Sequence, residues 1–280
     1  MEHKRLENLK SEPLSINMMN TSQPEMISNA LNKTTGGDPV IEINHLRKSF
    51  GQQEVLKNMS VSLMKGENLV VLGKSGSGKS VLIKCIVGLL NADGGTINVF
   101  NKNVLAMSRE ELGELRQKIG FLFQSGALYD SMTVKENLEF PLRRIKKEMT
   151  ENERSEKINE VLENVGLADA LNKMPSQLSG GMRKRISLAR TIVVDPMIML
   201  YDEPTTGLDP ITSDEISSLI NDVQKKYKTS SIIITHDINC AHNTANRIVM
   251  LKDGEVYMEG KTADFENSSD PFIQSFFQKS

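Results

Sequence analysis

Gly73-Lys74-Ser75-Gly76-Ser77-Gly78-Lys79-Ser80 is the stretch that most narrows what this chain can become. It follows Leu69-Val70-Val71-Leu72, a continuous apolar run of the kind buried on both faces of a parallel sheet. It precedes Val81 to Leu90, which is apolar nearly all round and is expected as a buried helix. A G-x-x-x-x-G-K-[ST] segment set between strand and helix is a phosphate cradle. Its glycines let backbone N–H groups curl round the anion, and the helix N-terminus adds the positive end of its dipole. Lys79 is then expected at the β and γ oxygens of a nucleotide and Ser80 on Mg²⁺. A Gly/Ser-rich surface turn needs no flanking order, whereas strand, loop, Lys-Ser and helix are all in register here.

Other short runs build round this unit. Val40 to Leu46 and Val61 to Met64 read as strands punctuated by Gly51 and Gly66, while Ile119 to Phe123, Met197 to Tyr201 and Ser231 to Thr235 read as further buried strands. Between Gln124 and Leu178 the pattern turns helical. Thr133-Val134-Lys135-Glu136 is a capping box, Ile158, Val161, Leu162 and Val165 follow helical spacing, and Gly166 is placed to stop that helix. Ile248 to Leu251 and Glu255 to Met258 flank Asp253-Gly254, a two-residue hairpin signal. No repeat at a fixed period is visible. With 38% apolar and 25% charged residues, the 280-residue chain reads as a globular α/β protein.

Residues 1–39 hold no aromatic and no Val, too little apolar surface to offset ordering entropy, so they read as a disordered tail before a domain spanning 40–280. Glu2, Glu7 and Glu12, with no apolar region after them, argue against a secretory signal, and Met18, Met19 and Met26 leave a later start open. The longest apolar stretches fall well short of the roughly 18–20 residues of a membrane span. Lys plus Arg number 34 against 36 acids, a net of −2, which supplies no field to hold nucleic acid. Cys85 and Cys240 show no metal-ligand spacing and fit a reducing compartment.

Two more segments carry chemistry. Ile198-Met199-Leu200-Tyr201-Asp202-Glu203 is an apolar strand ending in two acids: Asp202 is expected to hold Mg²⁺ through water and Glu203 to orient or deprotonate an attacking water. Ser179 caps a helix running through Met182, Ile186, Ala189 and Val193, and with Gly180 and Gly181 it makes a second phosphate cradle at a helix N-terminus. A chain with two such cradles separated by a helical insert resembles the ATP-binding cassette ATPases, from about Val40 to the C-terminus. The resemblance implies a P-loop α/β fold, a mixed sheet core with an N-terminal antiparallel β subdomain, and a helical subdomain inserted at 125–178. It also implies ATP and Mg²⁺ as cofactors. On it, Phe50 matches the aromatic that stacks on adenine, and Gln124 the glutamine that touches Mg²⁺ or water and moves with the transport partner. Asp209, in Thr206-Gly207-Leu208-Asp209, matches the loop between paired cassettes, and His236 the histidine at the γ-phosphate. His3, His45 and His242 have no such context, and Met182 departs from the Gln of many members.

Because each nucleotide in that family lies between two cassettes, the resemblance implies a homodimer working on integral-membrane permease subunits. Translation-type members carry two cassettes in one chain and repair-type members a long coiled coil, and this chain has room for neither. A GTPase would need Asn-Lys-x-Asp, but Asn32-Lys33, Asn101-Lys102 and Asn172-Lys173 all lack the Asp. The run Gln124 to Val134, then Glu136-Asn137-Leu138 and Phe140-Pro141-Leu142, is similar to the ATPases of MCE-type (Mla-like) lipid transporters. Lys184 and Arg185, Asp209-Pro210-Ile211-Thr212, and the segment Asp270 to Phe277 within a C-terminal extension at 260–280 point the same way. That implies phospholipid movement between two membranes, an MCE substrate-binding protein in the complex, and a peripheral seat on the cytoplasmic face of the inner membrane. Amino-acid, lipoprotein and cell-division partners are the alternatives.

Overall fold

The computed structural model describes residues 38–277, so the reading of a disordered N-terminal tail lies outside the described residues up to Gly37. The first strand, β1 (Pro39–Phe50), pairs antiparallel with β2 (Gln53–Met64). At the centre stands β3 (Asn68–Leu72), buried at every residue. Its side chains alternate between two cores: Val70 and Leu72 enter one, Leu69 and Val71 the other. A strand covered on both faces has no reason to alternate apolar with polar, which is why its sequence is a continuous apolar run.

The phosphate loop leaves β3 for α1 (Lys79–Ile86). This helix ends four residues before the Leu90 that the sequence suggests. Gly88 adopts φ +64, the chain reverses through Leu89 N–H on Lys84 O at 2.8 Å, and Leu89 is left 52% exposed. A left-handed glycine just past the last turn closes a helix whatever the hydropathy beyond it. Next come β4 (Gly94–Val99), β5 (Lys102–Asn103), α2 (Arg109–Gln117) and β6 (Ile119–Leu122). Strands β2, β1, β4 and β5 form an antiparallel sheet that shares its core with Leu82, Ile83 and Ile86 of α1.

Helices α3 (Val134–Ile145), α4 (Glu151–Asn164) and α5 (Gly180–Ile192) make the helical part. The capping box at Thr133 and Glu136 is present, and Gly166 takes φ +69 after α4. The chain ends with β7 (Ile198–Asp202), α6 (Pro210–Tyr227), β8 (Ser230–Thr235), α7 (Ile238–Thr244), β9 (Arg247–Lys252), β10 (Glu255–Gly260), α8 (Thr262–Glu266) and α9 (Pro271–Phe277). The larger sheet runs β10-β9-β3-β8-β7-β6, with β10 antiparallel to β9 and the rest parallel. Asp253 and Gly254 make the expected hairpin turn, both at positive φ. Among the described residues no helix is long and apolar enough to cross a membrane.

Cys85 in α1 and Cys240 in α7 are both buried and unpaired, and desolvation pushes each thiol up to about 11. A neutral buried thiol is a poor nucleophile. Iodoacetamide at pH 8 is therefore expected to leave the native chain unlabelled and to modify both thiols in guanidinium. Labelling of the native chain at the denatured rate would contradict this burial.

Candidate functional site

The parallel order β3-β8-β7 brings the C-terminal ends of three strands together, and the phosphate loop, His236 and Glu203 follow those three ends in turn. A cavity of about 240 Å³ lies there, lined by Val55, Ser75, Gly76, Gly78, Lys79, Ser80, Val81, Gln124, Glu203 and His236. Six of these come from the phosphate loop and the start of α1, as the motif requires. Gly78 takes φ +100 and sits so close to β2 that a Cβ would lie 2.9 Å from Val55 O; a side chain there would be strained and would also collide. Gly73 is equally confined, with Ser77 Oγ 2.7 Å from where its Cβ would stand.

Lys79 Nζ donates to Gly73 O at 2.7 Å and to Lys74 O at 3.1 Å, and pairs with Glu203 Oε1 at 3.4 Å. Burial pulls its pKa below that of an ordinary lysine, and Glu203 opposes the shift. Ser80 Oγ donates to Asp202 Oδ1 at 3.1 Å. Burial raises the Asp202 pKa, and the Ser80 hydroxyl works against that. One hydroxyl and one carboxylate make a thin donor set, and no group of three or more His, Cys, Asp or Glu capable of holding a metal occurs among the described residues. That fits Mg²⁺, which keeps waters and shares phosphate oxygens instead of seeking an all-protein cage. A dication at Ser80 and Asp202 would also offset the desolvation of the carboxylate. Ser77 Oγ is buried without a hydrogen-bond partner in the same loop, a further polar group a phosphate could satisfy.

Glu203 follows β7 at φ +50, a backbone held by its N–H on Ile234 O at 2.9 Å. Its Oε2 pairs with His236 Nδ1 at 2.8 Å and accepts from Thr206 Oγ1 at 3.2 Å. A carboxylate at the strand tip, beside a half-exposed histidine, can accept a proton from a water or orient it.

Ser179, Gly180, Gly181 and Asp209 are not in this cavity. They gather elsewhere: a Cβ on Gly181 would meet Thr212 Cγ2 at 2.7 Å, and Asp209 caps α6 through Thr212 N–H at 3.0 Å. Ser179 Oγ accepts from Met182 N–H at 3.2 Å as the cap of α5. Phe50 also lies apart, half-exposed at the β1–β2 turn with the Lys48 ammonium 5.4 Å from its ring centre. Sequence reasoning missed Val55, which lines the cavity with no motif to announce it, and gave Lys184 no place at the site, although its ammonium donates to Gln124 O at 2.8 Å.

Residues 56–206 match the family described as ABC transporter. Protein TRIGALACTOSYLDIACYLGLYCEROL 3, chloroplastic, of Arabidopsis thaliana is 39% identical, with 85% of this chain and 73% of that one covered. The probable ribonucleotide transport ATP-binding protein mkl of Mycobacterium tuberculosis is 39% identical over 87% and 68%, and the methionine import ATP-binding protein MetN of Brucella abortus 34% over 86% and 65%. Among solved structures, the ATP-binding cassette MJ0796, a dimer in a post-hydrolysis state bound to ADP and Pi, superposes with a TM-score of 0.72 at 34% identity, covering 79% of this chain and 98% of that one.

Proposed function

The chain belongs to the ABC transporter family and is an ATPase that uses ATP and Mg²⁺, and from that premise we propose that two copies close on two ATP molecules to drive a separate membrane permease that moves phospholipid. Each site combines the phosphate loop of one copy with the Ser179-Gly180-Gly181 cradle of the other. The observation that carries the paired reading is the separation of the two cradles within one chain: the cavity at Lys79 includes no residue of 179–181. Bound Mg²⁺ neutralises phosphate charge and orients the triphosphate. Ser80 and Asp202 would hold it with help from Gln124 and Lys79 would hold the β and γ oxygens, while Glu203 positions or deprotonates water and His236 orients Glu203. Phe50, exposed at its hairpin turn, is the adenine-stacking candidate.

The lipid assignment draws support from a relative named for a galactolipid and from the segment Gln124 to Leu142. Its working place is the cytoplasmic face of the inner membrane, beside a permease and an MCE substrate-binding protein. Tyr129 in that segment is 42% exposed, with its ring edge-on to Phe140 at 5.2 Å and the Arg190 guanidinium 4.8 Å from its centre. An aromatic held rigid yet exposed suits a partner contact. Purifying the tagged chain with its membrane partners, then identifying permease and bound lipid by mass spectrometry, is expected to recover phospholipid. Tyr129→Asp is expected to lower permease recovery at least about tenfold by placing a charge in the contact, with ATP affinity unchanged. Recovery of a methionine or nucleotide permease without lipid would refute the lipid assignment and leave the ATPase chemistry standing.

A further inference from the structure

The backbone of residues 124–127 is strapped along one face of α5. Lys184 Nζ donates to Gln124 O at 2.8 Å and Arg190 Nη1 to Ala127 O at 2.9 Å. Between them Ser187 lies so close to Gly126 that an added Cβ would stand 2.5 Å from its Oγ. Positions 184, 187 and 190 recur every three residues and so share a helix face. Gly126 and Ala127 both take positive φ, which folds the segment back onto that face.

Lys184 is the unusual member. It is only 6% exposed, and the acids that face its ammonium, Asp202 and Glu203, act on it through space without a salt bridge among the described residues. An ammonium has three donors, and the hydrogen bond of this one goes to a single backbone carbonyl. Burying a cation that way is costly, whereas Met or Leu would pack the same space without that penalty. The carbonyl it fixes belongs to Gln124, which lines the cavity beside Glu203. Ser179, the cap of the same helix, lies five residues earlier, about 7.5 Å along its axis.

We propose that Lys184 is the positioning residue for Gln124, tying it to α5 so that movement of the Ser179 cradle on the second copy's nucleotide is passed to Gln124 in this copy's own site. The inference rests on the paired-site reading above. Arg190, which anchors Ala127 and covers the Tyr129 ring, extends the same strap toward the proposed permease contact.

The test is steady-state ATPase and ATP binding by the purified full chain. Lys184→Met is expected to lower kcat about tenfold, the weight of one charge-assisted hydrogen bond, with KM and Tm near wild type. In the Gln124→Ala background the same substitution is expected to add nothing, which separates an effect carried by Gln124 from one carried by the charge of Lys184 on Asp202 and Glu203. Additive loss in the double variant, or a raised KM at wild-type kcat, would overturn the proposal. Should Lys184→Met fail to fold, Arg190→Met is expected to show the same non-additivity with a smaller loss, and additivity there counts equally against it. Gln124→Ala at wild-type kcat would sink the role of Gln124 and this inference with it. An impaired Gln124→Ala beside an unimpaired Lys184→Met would sink this inference alone.

Discussion

Lys79→Ala is expected to bring ATP hydrolysis by the full chain down at least ~10²–10³-fold, the weight of a preorganised donor at developing charge. The substitution removes the ammonium's bonds to Gly73 O and Lys74 O, but the loop keeps backbone bonds of its own: Ser77 N–H bonds Lys74 O at 3.2 Å and Leu82 N–H bonds Gly78 O at 3.0 Å. The variant should therefore fold, with its defect confined to the cavity. Glu203 loses its cation but keeps His236 and Thr206 as partners. Mixing Lys79→Ala chains with Ser179→Arg chains separates a shared site from a self-contained one. In the mixed dimer one site is doubly damaged and the other is intact, so about a quarter of wild-type activity is expected when equal amounts associate at random and each intact site turns over independently. Activity no higher than either variant alone would count against the shared site. Wild-type turnover by Lys79→Ala itself would remove the phosphate-loop assignment.

Glu203→Gln is expected to retain ATP and slow hydrolysis by roughly 10²–10⁴, the usual contribution of a positioned base. Glutamine preserves the size of the side chain and can still accept from Thr206, but it cannot take up a proton. The backbone at Glu203 is held at positive φ by its own N–H bond to Ile234, so the substitution should not move the strand tip. With hydrolysis blocked, the closed pair should persist, and size-exclusion chromatography in ATP and Mg²⁺ should show a dimer. A monomer under those conditions, with ATP bound, would contradict closure on nucleotide.

What the sequence determined about this protein is what short-range physics controls. The apolar run at 69–72, the loop at 73–80, the Thr133 capping box and the Asp253-Gly254 turn all appear where local pattern puts them, because each depends on side-chain period or on backbone freedom within a few residues. The end of α1 escapes that pattern: apolar residues run on to Leu90, and only the left-handed Gly88, with Arg116 donating to Val87 O and Gly88 O from α2, closes the helix earlier. Asp202 and Glu203 can be named as candidates from the sequence, and Asp202 set on the same ion as Ser80, but the direct contacts of Asp202 with Ser80 and of Glu203 with Lys79 cannot. Strand β7 does not pair with β3; it reaches the phosphate loop because β8, later in the chain than either, lies between them. Val55 enters the cavity and Phe50 stays outside it through the twist and register of the β1–β2 pair. Lys184 enters the sequence reading only as part of the resemblance to MCE-type ATPases, and its bond to Gln124 exists because the fold lays that segment across it. Contacts between segments this far apart in the chain depend on strand order and packing, and only the tertiary structure decides them.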